Sequence, residues 1–161
     1  MSGIKSNRIW WILLILLAWI TGILFAPIAK NGGYTVADGV YFFYAPTCHQ
    51  IAERCLKIGN ATLAVCTRCS GFYFGALIIT AIYLFRKKIH LWYGLIYFLL
   101  CLPAVIDFLL GKLEMYESSH IIRGVTGILL GIAIFHILLL AANAEKPHPK
   151  ADPNVAQARK G

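Results

Sequence analysis

Charge is what this sequence has least of. Only 14% of its residues are Asp, Glu, Lys or Arg, against 59% hydrophobic, and its mean hydropathy is +0.70. Soluble globular domains carry about 25% charged residues, so the composition excludes that class and makes the lipid bilayer the first expected partner. Acidic residues are scarcest, seven against fifteen basic ones, for a formal net charge of +8. That surplus forms no basic stripe on a polar domain, which excludes a nucleic-acid partner. The basic residues cluster beside apolar runs instead, where positive charge sets membrane topology. No internal repeat is visible, so the inverted halves of many transporters are missing too. At 161 residues the chain fits one domain.

The run Ile9 to Ala29 holds no charged residue, and it ends on Pro27-Ile28-Ala29 where a signal peptide needs a small-x-small cleavage site. Its length matches a spanning helix of about 20 residues, so it is expected to be a retained anchor. Trp10, Trp11 and Trp19 are expected to face lipid or the interface. Further apolar runs place four spans at about residues 9–29, 69–85, 90–111 and 121–143. The expected fold is all-α: a four-transmembrane-helix bundle forming a single polytopic domain over residues 1–143, with a Cys/His-rich outer loop at 30–68 between the first two spans. A polar tail, 144–161, with Pro147, Pro149 and Pro153 is expected to be disordered.

Within the loop, Val40 to Ile58 reads as a helix interrupted or entered at Pro46 and ended by Gly59-Asn60. Asn60-Ala61-Thr62 is a glycosylation sequon, meaningful only in a eukaryotic secretory context. Gly71 with Gly75, and Gly124 with Gly127 and Gly131, form small-residue faces for close helix packing, within this chain, in a homo-oligomer or against other membrane proteins. Lys and Arg number nine in the two tails and the Arg86 turn against six elsewhere. The positive-inside rule then puts both termini in the cytoplasm of a multi-pass cell-membrane protein and the cysteine loop outside.

This topology brings the ends of three spans to one membrane face, so Cys66, Cys69, Asp107, His120 and Arg123 share a depth. Ionisable residues in spans are costly and are functional candidates by default. Asp107 and Arg123 read equally as a salt bridge between the third and fourth spans. His136, about 20 Å further along its helix, reads as an interhelical hydrogen-bonding residue, and Cys101 as a small buried hydrophobe.

Four of the five cysteines fall between Cys48 and Cys69. Cys66-x-x-Cys69 opens a helix, whose dipole lowers thiol pKa and favours both metal binding and disulfide exchange. Cys48 and His49 would complete a set of three thiolates and one imidazole suited to tetrahedral zinc, with Cys55 as a substitute ligand. Copper(I) or iron would also suit soft thiolates. The rival chemistry is a membrane thiol-disulfide oxidoreductase using Cys66 and Cys69 with a quinone, since an extracytoplasmic loop is an oxidising place. A helical 46–58 segment would hold Cys48 and Cys55 about 10 Å apart, beyond the about 7 Å reach of a disulfide. The plainest reading is a set of loop-bracing bonds.

Cys48-His49-Gln50, Arg54, Cys66-x-Arg68-Cys69-x-Gly71-x-Tyr73-x-Gly75, Pro103, Asp107, Ser118, Arg123, Gly124 and Gly127 together resemble the prokaryotic membrane family known as domain of unknown function 2085. The resemblance spans roughly residues 40–131. That family's pattern has Ser where this chain has Cys55 and Asp-Gly where it has Asp107-Phe108. The resemblance therefore implies that Cys48, His49, Cys66 and Cys69 form the centre and that Cys55 is optional. The expected function is an integral membrane protein with a zinc site of those four residues, structural, binding or catalytic. In a catalytic site Asp107 would accept a proton while Arg54 or Arg123 holds an anionic group. A small transporter or membrane assembly partner without chemistry is the remaining class.

Overall fold

A computed structural model of the chain describes residues 6–85, 91, 94–113 and 118–144. The Arg86-Lys87-Lys88 turn, the expected third-span start at His90, residues 114–117 and the tail from 145 lie outside the described residues. The elements in order are α1 (Ser6–Asn31), α2 (Val36–Tyr44), a 3-10 turn (Ala52–Arg54), β1 (Lys57–Ile58), β2 (Ala61–Thr62), α3 (Thr67–Phe85), α4 (Gly94–Lys112) and α5 (His120–Ala144). Among the described residues, four helices are long and apolar enough to cross a membrane: α1, α3, α4 and α5. They correspond to the four expected apolar runs. The fold is all-α.

Burial follows helical spacing on α1. Ile9, Leu13, Leu16, Ile20 and Ile23 are buried at alternating steps of four and three, while Trp10, Trp11, Leu14, Ile15 and Leu17 are exposed. In lipid an exposed leucine costs nothing, so a helix apolar all round still presents one packed stripe. Helix α1 packs on α3, α3 on α5, and α5 on α4. The α3–α5 seam is the tightest, and its glycines are the reason. A methyl group added at Gly71 would strike the Gly124 carbonyl, at Gly75 that of Ile128, at Gly127 that of Arg68, and at Gly131 that of Phe72. Both glycine faces are thus used inside the chain, back to back.

Two loop features differ from expectation. The helix lies before Pro46, as α2, because the ring closes off helical hydrogen bonding where it stands instead of opening a first turn. Gly59-Asn60 is a hairpin turn and not a helix end: β1 pairs antiparallel with β2, Lys57 opposite Thr62 and Ile58 opposite Ala61. Gly59 has φ +62, a left-handed value that glycine adopts freely. Asn31, at the end of α1, fastens this hairpin by donating to the Ile58 carbonyl at 2.6 Å and accepting from the Asn60 N–H at 3.2 Å.

Trp19 also departs from a lipid-facing role. It packs against Phe43, Tyr44 and Tyr73 with ring centroids 4.9–5.8 Å apart, and Tyr44 donates to its carbonyl at 2.7 Å. Gly22 makes room for that phenol, since any Cβ there would meet the Tyr44 hydroxyl. The layer formed by Ile23, Ala26, Tyr44, Leu63, Ala64 and Val65 contains Cys48, with Trp19, Cys66 and Cys69 packed against it. The aromatic layer is the floor of the cysteine site.

Candidate metal centre and adjoining cleft

The structure brings Cys48, Cys66 and Cys69 together: their three sulfur atoms all lie within 4.8 Å of one another. Three connections hold them there. Cys48 follows the end of α2, where its N–H bonds to the Tyr44 carbonyl at 3.2 Å. Gln50, at φ 52, turns the chain sharply two residues later and donates from Nε2 to the Tyr41 carbonyl at 2.7 Å. Cys66 starts α3 by accepting the Ser70 N–H at 2.9 Å, which puts Cys69 one turn in on the same side.

Hydrogen bonds converge on Cys48. The Cys66 N–H donates to its sulfur at 3.2 Å, and the Cys66 and Cys69 thiols stand within 4.8 Å of it. Against the opposing effect of burial, the Cys66 and Cys69 side chains, with the backbone N–H groups of Cys66 and Gln50, hold the Cys48 thiol well below the ordinary range. Cys55 is the opposite case. It is buried outside the three-sulfur group, and burial, then the charges of Cys48 and Cys66, push its thiol up to about 12. All of the described cysteines are free thiols.

His49 lies exposed and outside the three-sulfur group, although it is the next residue to Cys48. The structure therefore joins three of the four residues expected at the centre and leaves the imidazole and the Cys55 thiol apart from them.

Beside the centre, and lined in part by Cys66, opens a cleft of about 940 Å³. Arg54, Arg68, Asp107, Lys112, Ser118, His120 and Arg123 contribute to its wall. The three residues expected to act together, Asp107, Arg54 and Arg123, thus share one cavity at the ends of α3, α4 and α5. Asp107 makes its ion pair with Arg68 of α3, not with Arg123. The partner was missed because Arg68 sits inside the CxxC, and no spacing in the sequence points it at the third span. Thr67 ties three segments together at the cleft rim. Its hydroxyl donates to the Arg54 carbonyl at 3.0 Å and, its one proton spent, accepts from His120 Nδ1 at 3.1 Å.

Several buried polar atoms of this wall lack a hydrogen-bond partner among the described residues: Asp107 Oδ1, Arg68 Nε and Ser118 Oγ. An unpaired buried polar group costs about 1–3 kcal/mol. Asp107 and Ser118 are only 4% and 9% exposed. Ser118 was not singled out as a site residue, and its place in the resembled pattern between Asp107 and Arg123 was the signal for it.

An uncharacterized protein of Methanocaldococcus jannaschii, MJ1492, is 33% identical over 106 residues, covering 62% of this chain. The alignment covers 66% of that protein, so the chain spans just under two thirds of the length of the curated relative it matches. No solved structure matches. The sequence model of the family described as "Predicted membrane protein (DUF2085)" matches residues 48–137. That stretch runs from the first thiol of the centre to the far end of the α3–α5 seam, more than half of the chain, and the protein belongs to this membrane-protein family.

Proposed function

We propose that this membrane protein binds one zinc ion through the thiolates of Cys48, Cys66 and Cys69. The observation that carries the reading is the convergence of three sulfurs, not two, within 4.8 Å. Around tetrahedral zinc, with Zn–S near 2.3 Å, sulfurs stand about 3.8 Å apart. The three thiols need only small rotations to reach that spacing. A disulfide draws two sulfurs to about 2.05 Å and leaves the third without a role. Cys48, already held as a thiolate, would be the first ligand, and Cys66 and Cys69 lose their protons on binding, as thiol ligands must. His49, adjacent in the chain, is the proposed fourth ligand, reached by rotation from its exposed position. Such a closed set is structural: it clips the loop after α2 onto the start of α3 and shapes one wall of the cleft.

The charge count supports a topology with both termini in the cytoplasm and this centre on the outer face. Elemental analysis of purified protein, with thiols counted before and after reduction, tests the reading. About one zinc per chain with free thiols is expected. Absence of metal together with a Cys66–Cys69 disulfide would replace it with the redox relay.

A further inference from the structure

The cleft beside the thiol group carries a ligand preference of its own, which goes beyond the zinc reading and stands without it. Among the described residues of its wall, Arg54, Arg68, Lys112 and Arg123 outnumber the carboxylates of Glu53 and Asp107. The N-termini of α3 and α5, helices of 19 and 25 residues, both open onto it and add partial positive charge. The cleft is therefore built for an anion. The unpaired atoms refine the choice. Arg68 Nε and Ser118 Oγ offer donors, whereas Asp107 Oδ1, on a residue 4% exposed, is an acceptor in want of a donor. An anion with acceptors alone would be repelled by that carboxylate. One that also carries a hydroxyl would satisfy all three atoms.

We propose that the cleft binds a phosphate ester bearing free hydroxyl groups, of the glycerol phosphate class, either as a phospholipid headgroup or as the free compound. At about 940 Å³ the cleft is far roomier than a bare phosphate requires and lies within the usual range of about 300–1,000 Å³ for organic ligands. Its position at the ends of three spans is the depth of lipid headgroups.

The test uses the full chain in phosphatidylcholine nanodiscs, titrated calorimetrically with glycerol 3-phosphate or with sulfate, an oxyanion lacking hydroxyls at neutral pH. A parallel set of nanodiscs contains phosphatidylglycerol, and bound lipid is counted by native mass spectrometry. Glycerol 3-phosphate, phosphatidylglycerol or both should bind, and the ester should bind at least about tenfold tighter than sulfate. Whichever probe is retained identifies the source. Ser118→Ala and Arg123→Gln should each weaken it about three- to tenfold. Asp107→Asn should shift preference toward sulfate, because an amide donates where the carboxylate repels, and general destabilisation produces no such shift. Zinc content, measured on the same samples, should not change in Ser118→Ala, so loss of anion binding and loss of metal are read separately. Sulfate binding as tightly as the ester to the wild type, or no binding of either phosphate probe by protein with an intact melting transition, would overturn the proposal.

Discussion

Helices α3 and α5 bury polar side chains at both ends of their seam, and the two ends are completed differently. At the far end His136 is fully buried, and both ring nitrogens meet tyrosine hydroxyls: Nε2 that of Tyr83 at 2.5 Å, Nδ1 that of Tyr97 at 2.6 Å. One imidazole joins α3, α4 and α5, and both its hydrogen-bonding positions are used. At the near end Asp107 spends one oxygen on Arg68 and leaves the other unpaired, beside an open cleft and three clustered thiols. A buried polar group whose capacity is filled within the chain cements helices together. One whose capacity is left over, next to a cavity, leaves room for a partner from outside the chain.

The largest stability effect should come from breaking the near-end ion pair. Arg68→Leu strands a carboxylate that is 4% exposed and should cost about 2–4 kcal/mol, measured by reversible unfolding in detergent mixtures. Pairing it with Asp107→Leu should recover most of that loss, because both charges are then gone. If the double substitution is as damaging as the single one, the pair holds the helices by more than charge compensation. At the far end His136→Leu removes two hydrogen bonds and should cost less, about 1–2 kcal/mol, since buried polar contacts between membrane helices are individually modest. An equal or larger cost there would erase the distinction between cement and site.

Thiol reactivity sharpens the comparison without altering stability. In chelator-stripped protein, alkylation of Cys48 between about pH 6 and about pH 8 should be faster than that of an ordinary thiol, because its neighbours hold the thiol well below the ordinary range. Cys55, pushed up to about 12, should stay unmodified over that window. A Cys48 rate that climbs with pH toward the ordinary thiol value would show that the neighbouring donors do not hold the charge.

The bundle was legible because a bilayer imposes simple requirements on a sequence. About twenty residues without charge, as in Ile9 to Ala29, have few other uses, and glycines three and four residues apart marked two close-packing faces, which the structure joins in the α3–α5 seam. The cysteine site was legible by halves. Cys66 and Cys69 are placed by helix geometry alone, and Cys48 was reached through chain proximity and the family pattern. His49 was paired with Cys48 as its neighbour in the chain; its exposed position outside the three-sulfur group follows the sharp turn marked by the positive φ at Gln50. The hairpin at Gly59-Asn60 was missed by following the helix-ending sense of glycine, where a two-residue Gly-Asn turn has an equal claim. The Arg68–Asp107 pair is tertiary. No spacing joins residues on two helices until the bundle is assembled.

The central claim is that Cys48, Cys66 and Cys69 act as one metal-binding set from which Cys55 is excluded. Zinc content of Cys48→Ser and Cys55→Ser protein, purified side by side with the wild type and normalised to folded protein, tests it most directly. The account predicts about one zinc per chain in the wild type and in Cys55→Ser, and almost none in Cys48→Ser. Equal zinc in the two variants, or loss confined to Cys55→Ser, would contradict it.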